Sequence, residues 1–271
     1  MRSIGFLYPG YSAEDDYPTA QKLIGDSAEL RLVHTEMRED AHRVDALLAI
    51  GSDDVLAAGV RELASPACDA VIWACTSGSF VFGWDGASAQ VAALREAAGR
   101  PASSTSFAFT DACARLGITR VAVAATYPDE VAERFVTFLA TAGVSAVRLS
   151  TLGIVTAAEV GTLGRERVLE VAAAGDHPDA EALLLPDTAL HTMAWLDELE
   201  QRLGKPVLTA NQVSIWQGLR LAGDRTPRRG LGRLFDEPPS SGPPAAPPSG
   251  PPAEVPSSEL PPLDPAPGEP A

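Results

Sequence analysis

Two stretches of this chain decide its fold, DAVIWAC at Asp69–Cys75 and EALLLPD at Glu181–Asp187. Each opens on an acid, runs through almost purely apolar residues and stops on a chemically active side chain. A short run with no polar face predicts a parallel strand covered on both sides. The two stretches lie 112 residues apart, which sets Cys75 against Asp187. Outward from the first, Ser3–Tyr8 and Glu29–His34 read as strands, and Arg43–Ile50 and Asp53–Ala64 as helices. Outward from the second, Arg120–Ala124 and Ala146–Leu149 read as strands, and Pro128–Thr141 and Arg165–Ala174 as helices. Gly99-Arg100-Pro101 echoes Gly204-Lys205-Pro206 at an offset of 105. Each half is therefore a βαβαβ unit followed by a helix, a small-residue turn and another helix.

Alternating strands and helices predict an α/β protein with parallel sheets and right-handed crossovers. The expected architecture is two similar lobes, each a parallel sheet flanked by helices, related by a pseudo-twofold with a cleft between them. The expected domains are residues 1–105, residues 106–223 and a Pro-rich tail at 224–271. The chain has 271 residues, and 14 of its 23 prolines lie between Pro238 and Pro270. That segment cannot bury enough surface to offset its ordering entropy, so it reads as a disordered, solubilising tail.

The charge is −15, with 36 acidic against 21 basic residues. Between Pro238 and Pro270 the tail holds Glu254, Glu259, Asp264 and Glu269 and no basic residue. Most of the acidity thus belongs to the folded part, which argues against a nucleic-acid partner. No apolar run is long enough to span a membrane, and MRSIGFLYPGYS at the N-terminus reads as a strand rather than a signal peptide. Three cysteines cannot make a disulfide scaffold, and the expected location is the cytoplasm.

In open parallel sheets, ligands bind at the carboxyl ends of strands. The residues there are Pro9-Gly10-Tyr11, Cys75-Thr76-Ser77-Gly78-Ser79, Thr126-Tyr127 and Pro186-Asp187-Thr188-Ala189. Under a pseudo-twofold, Cys75 and Asp187 approach one cleft from opposite sides. Backbone amides and a helix start beyond Cys75 are expected to lower its thiol pKa. A thiolate can attack an electrophilic carbon or remove an acidic C–H proton. Asp187 can carry a proton on the other face, or simply cap the segment from Leu190. Thr76, Ser77, Thr188 and Tyr127 offer hydroxyls to a carboxylate or an enediolate. His191, four residues past Asp187, is a candidate to orient it, with a surface histidine as the plain reading. His34, His42 and His177 are scattered, and no His/Cys spacing suits a metal. Cys68 and Cys113 read as buried bystanders in helix-like surroundings, and the four tryptophans as packing residues.

ACTSGS at Ala74–Ser79, Tyr127 followed by PDEVAERFVTFLATAG, and ELEQRLGKPVLTANQVSIWQGLRLAG at Glu198–Gly223 together resemble maleate cis-trans isomerases and arylmalonate decarboxylases of the aspartate/glutamate racemase superfamily. The resemblance covers residues 1 to about 223. It implies two α/β lobes around a cleft, no metal, no organic cofactor and a homodimer. It further implies Cys75 as the nucleophile and Thr76, Ser77 and Tyr127 as carboxylate-holding groups. Asp187 departs from the second cysteine usual in the isomerases. The first loop, YPGYS, has Tyr11 or Ser12 where those enzymes place an asparagine. The decarboxylases have glycine at the first position and cysteine at the second. The expected function is a cofactor-independent cis-trans isomerase of a small, maleate-like dicarboxylate. Cys75 and Asp187 would be catalytic, with Pro9, Ser12, Thr76, Ser77, Tyr127 and Thr188 binding the substrate. The alternatives are a decarboxylase or racemase working through an enediolate, and a two-lobed binding protein that has lost the chemistry.

Overall fold

A computed structural model describes residues 1–63 and 68–236 of the chain. The Pro-rich segment from residue 237, like Ala64, lies outside the described residues.

Two four-stranded parallel sheets form the frame. The first has the order β2-β1-β3-β4, built from β1 (Arg2–Pro9), β2 (Ala28–Thr35), β3 (Ala70–Trp73) and β4 (Ala102–Ser104). The second repeats the order as β6-β5-β7-β8, from β5 (Arg120–Ala125), β6 (Ser145–Thr151), β7 (Ala182–Leu185) and β8 (Val207–Thr209). The two decisive stretches are thus the equivalent strands β3 and β7, and all their residues are buried. The small-residue turns expected after Pro101 and Pro206 are instead the short strands β4 and β8. Val71 pairs with Ala102, and Leu183 with Val207. Three residues are too few to show a period, and Ser103 and Ser104 give no apolar signal.

The helices are α1 (Asp16–Ile24), α2 (Val44–Ile50), α3 (Asp53–Leu63), α4 (Ser77–Phe80), α5 (Gly83–Ala98) and α6 (Thr105–Leu116), then α7 (Asp129–Thr141), α8 (Ala157–Val160), α9 (Arg165–Gly175), α10 (Leu196–Leu203), α11 (Ala210–Leu221) and α12 (Arg233–Asp236). Two short 3-10 turns complete the order. In α3, Val55, Leu56, Gly59 and Leu63 face inward, as the 3.6-residue period predicts. In α7, Pro128 precedes the first turn, Asp129 and Glu130 meet its positive end, and Val131, Phe135, Phe138 and Leu139 enter the core.

One helix joins the halves. α11 follows β8 in the chain but packs on the first sheet. A Cβ at Gly218 would lie 2.5 Å from Ile4 Cγ2 and 3.3 Å from Ile72 Cγ1, so only glycine permits that approach. Thr105 and Ser214 share a 2.6 Å hydroxyl hydrogen bond between α6 and α11. One apolar core therefore runs from Ile4, Phe6 and Ile72 to Val121, Val123 and Leu184. A second cluster, including Ala122, Leu183, Leu185, Val168 and Leu199, seals the other face of the second sheet. With both sheets fixed by one core, the carboxyl ends of β3 and β7 are held in register.

Candidate active site

Cys75 follows β3 and Asp187 follows β7, and both line one cleft with about 380 Å³ of empty space, part of it continuous with solvent. Pro9 at the end of β1, Ser12 in the loop after it, Ser77 at the start of α4 and Thr188 after β7 line it too. Thr76 and Tyr127 do not line this cleft. Tyr127 is buried and donates its hydroxyl to the Pro186 carbonyl at 3.0 Å. Thr76 is buried, with its Oγ1 lacking a hydrogen-bond partner.

The Gly78 amide donates to Cys75 Sγ at 3.2 Å, and Ser77 Oγ lies 3.8 Å from it. Both favour thiolate, as the turn predicts. Burial outweighs them. Cys75 is 3% exposed, and loss of water pushes its thiol up to about 12, with the nearby charge of Asp187 adding to the rise. The expected lowering of this thiol is therefore reversed. Gly78 permits the geometry, because a Cβ there would sit 3.0 Å from Sγ and 3.1 Å from the Trp73 ring.

Asp187 closes a turn rather than capping a helix. Its Oδ1 accepts from the Ala189 amide at 2.9 Å, and its Oδ2 from the buried Thr126 hydroxyl. His191 does not orient it. That ring instead pairs with Asp15 at 2.9 Å and contacts the Gly161 carbonyl at 3.1 Å. The histidine beside Asp187 is His42, whose Nε2 lies 3.9 Å from Asp187 Oδ2. Its ring stands edge-on to Tyr127 with centroids 4.9 Å apart. Sequence reasoning passed over His42 as scattered, together with Met37, Glu39, Asp40 and Ala41 in the same loop. All five line the cleft. They follow β2, so the strand-end rule applied to that strand would have found them.

This loop is anchored to the second half of the chain. Asp40 accepts the Ala157 and Ala158 amides at 2.7 and 3.0 Å, capping α8. The His42 amide donates to the Val155 carbonyl at 2.7 Å. The larger apolar lining residues are Met37, Leu47 and Ile50, and among the described residues no lysine or arginine lines the cleft. Cys113 is in α6 as expected, whereas Cys68 stands just before β3 with the Ser3 hydroxyl 3.7 Å from its sulfur. All three cysteines are free. Among the described residues, no helix is long and apolar enough to cross a membrane.

Two duplicated parallel sheets that present a cysteine and a carboxylate to a shared cleft define a two-lobed α/β enzyme class, the aspartate/glutamate racemase-like fold. Within it the chain belongs to the arylmalonate decarboxylase family, whose sequence profile matches residues 42–235. Arylmalonate decarboxylase from Bordetella bronchiseptica is 36% identical over 165 residues, which cover 60% of this chain and 69% of that one. A liganded double variant of arylmalonate decarboxylase, with glycine changed to cysteine and cysteine to serine, superposes with a TM-score of 0.77 at 28% identity, covering 87% of this chain and 99% of that one. Maleate cis-trans isomerase from Nocardia farcinica, a cysteine-to-serine variant carrying a covalent succinylcysteine intermediate, gives 0.78 at 23% identity, covering 87% and 98%. The last likeness is one of fold.

Proposed function

We propose that this protein decarboxylates α-substituted malonic acids, with Cys75 as the proton donor. The observation that carries this reading is the burial of Cys75, which is 3% exposed in the cleft wall, and loss of water pushes its thiol up to about 12. A cysteine that keeps its proton at neutral pH is suited to giving it to carbon and poorly suited to adding to a double bond. The C–C bond to one carboxylate breaks and releases CO2, and its electron pair enters an enediolate on the remaining carboxylate. The Cys75 proton then moves to the α-carbon, and solvent reprotonates the thiolate. The enediolate delocalises the charge, so the chemistry needs no metal or organic cofactor. Ser12, Ser77 and Thr188 offer cleft hydroxyls to the carboxylates, while Met37, Leu47 and Ile50 suit an apolar substituent. Membership of the arylmalonate decarboxylase family supports the same reading.

A second reading is cis-trans isomerisation of a maleate-like dicarboxylate through a Cys75 adduct. The Gly78 amide and Ser77 hydroxyl beside Sγ favour it, because they stabilise thiolate. One experiment separates the two. The protein is incubated with phenylmalonate, methylmalonate and maleate, while CO2, fumarate and protein mass are followed. Decarboxylation predicts CO2 from a malonate, no lasting adduct, and a loss of about 10²–10⁴ in kcat for Cys75→Ser, the usual worth of a positioned acid. Fumarate from maleate with a mass increase on Cys75 would establish the isomerase instead. No product from any of the three substrates rejects both.

A further inference from the structure

The cleft contains a charge problem. Among the described residues, Glu39, Asp40 and Asp187 line it and no lysine or arginine does, yet the reading above gives it a carboxylate substrate. All three acids are already held. Glu39 accepts from the Arg43 guanidinium at 3.0 and 3.1 Å, and both Asp40 oxygens cap α8. Asp187 has only the uncharged donors Thr126 and Ala189, and among the described residues the one basic side chain in the lining is His42.

The hydrogen bonds of His42 fix how its ring is used. Nδ1 lies 2.9 Å from the Ile154 carbonyl oxygen. A carbonyl only accepts, so Nδ1 carries a hydrogen. The other nitrogen, Nε2, is 3.9 Å from Asp187 Oδ2, within ion-pair range and beyond hydrogen-bond reach. Asp187 meanwhile spends its oxygens on Thr126 and Ala189. In the imidazolium form, Nε2–H is therefore a charged donor with no close acceptor, on a residue that lines the cleft. The groups around it are Asp187, the Tyr127 ring, and Glu39 and Asp40 on its own loop.

We propose that His42 is a substrate-binding residue, and that its imidazolium Nε2–H takes one carboxylate of the substrate. The proposal rests on the carboxylate-substrate reading and extends it to a residue outside the strand-end constellation. Asp187 lies within ion-pair range of the same Nε2, and the substrate carboxylate fills the hydrogen-bond position that Asp187 leaves open. The anchor to Ile154 and the hydrogen bond from the His42 amide to the Val155 carbonyl hold the ring in place before substrate arrives, so little ordering cost remains to be met on binding.

The test uses malonate as the charged probe and malonamide as its neutral counterpart, with binding measured by calorimetry. His42→Asn places an amide N–H where Nδ1 donates to Ile154, so it keeps the loop anchor and loses Nε2. His42→Gln puts a neutral donor near Nε2. The proposal expects His42→Asn to weaken malonate binding by about tenfold to a hundredfold, the worth of one charge-assisted hydrogen bond. His42→Gln should weaken it less, and malonamide should change by no more than about twofold. The 15N resonance of His42 Nε2 should shift on adding malonate to the wild type, and the melting temperature of His42→Asn should stay close to wild type. Malonate binding within about twofold of wild type in His42→Asn overturns the proposal, as does equal weakening of malonamide or no binding to the wild type at about 50 mM. Turnover keeps the two readings apart. Malonate bound through His42 without CO2 release from any malonate removes the decarboxylase reading alone. Decarboxylation with an unchanged KM in His42→Asn removes the role of His42 alone.

Discussion

Asp16 shows how much of this site is held by a residue that never reaches it. It stands at the start of α1 and is buried, with its carboxylate accepting the Thr192 amide at 3.1 Å, the Met193 amide at 3.1 Å and Asn211 Nδ2 at 3.0 Å. Asn211 also donates to the Thr188 carbonyl at 3.1 Å. One carboxylate thus ties α1, the loop after β7 and the start of α11 to the wall of the cleft. Burial lifts its pKa from 3.8 to about 6, against the donors from Asn211, Met193 and Thr192 that favour the charged form. The folded value lies above the unfolded one, so the folded chain binds the extra proton. The contribution of Asp16 to stability is fully present below pH 3.8 and is lost as the pH rises through about 6. The expected outcome is a carboxyl 13C titration for Asp16 with its midpoint near 6. A midpoint near 4 would show that the donors outweigh burial.

At the scale of elements, the close approach of α2, α4 and β3 shapes the wall around Cys75. A Cβ on Gly51 would lie 2.2 Å from the Gly78 carbonyl oxygen. That oxygen accepts from Gln90 Nε2 at 2.9 Å and from Trp73 Nε1 at 3.2 Å. Gly78 is therefore fixed through its carbonyl while its amide points at Sγ. Gly78→Ala must displace the sulfur or the Trp73 ring, at a cost of about 1–3 kcal/mol in stability by overpacking. It should lower the melting temperature and kcat together. A variant with wild-type melting and turnover would mean that the α4 turn is free to move. Much of this was legible beforehand, because β3 and β7 carry their pattern in unbroken apolar runs that end on Cys75 and Asp187. β4 and β8 were not, since strands of three residues have no period to read. The raised thiol pKa was also hidden, because it depends on how α2, α4 and the loop after β2 exclude water, which arises only from tertiary packing. His42 was legible as a residue of the loop after β2, but its pairing was not. Nothing local marks a loop histidine as the neighbour of an aspartate 145 residues further along the chain.

For the whole molecule, the governing quantity is the charge of −15. A protein this acidic repels an approaching dianion over a Debye length of about 30 Å at 0.01 M salt and about 10 Å at 0.1 M. The cleft mouth offers little local relief, because the exposed Glu39 and the half-buried Asp40 stand beside it and among the described residues no lysine or arginine lines the pocket. Long-range repulsion and short-range recognition therefore act in opposite directions. They also respond differently to salt. The repulsion acts through solvent and is screened, whereas a buried imidazolium–carboxylate contact at His42 is screened much less. For a dianionic malonate, kcat/KM should rise by about two- to threefold between 10 and 150 mM salt, because the encounter is eased while the bound contact persists. The effect should be smaller for a mono-ester of the same acid, which carries one charge fewer. A kcat/KM that falls with salt would mean that the field at the cleft mouth is positive despite the net charge. The substrate would then be drawn in by cations outside the cleft lining, and His42 would no longer be needed to reconcile an acidic protein with an anionic ligand.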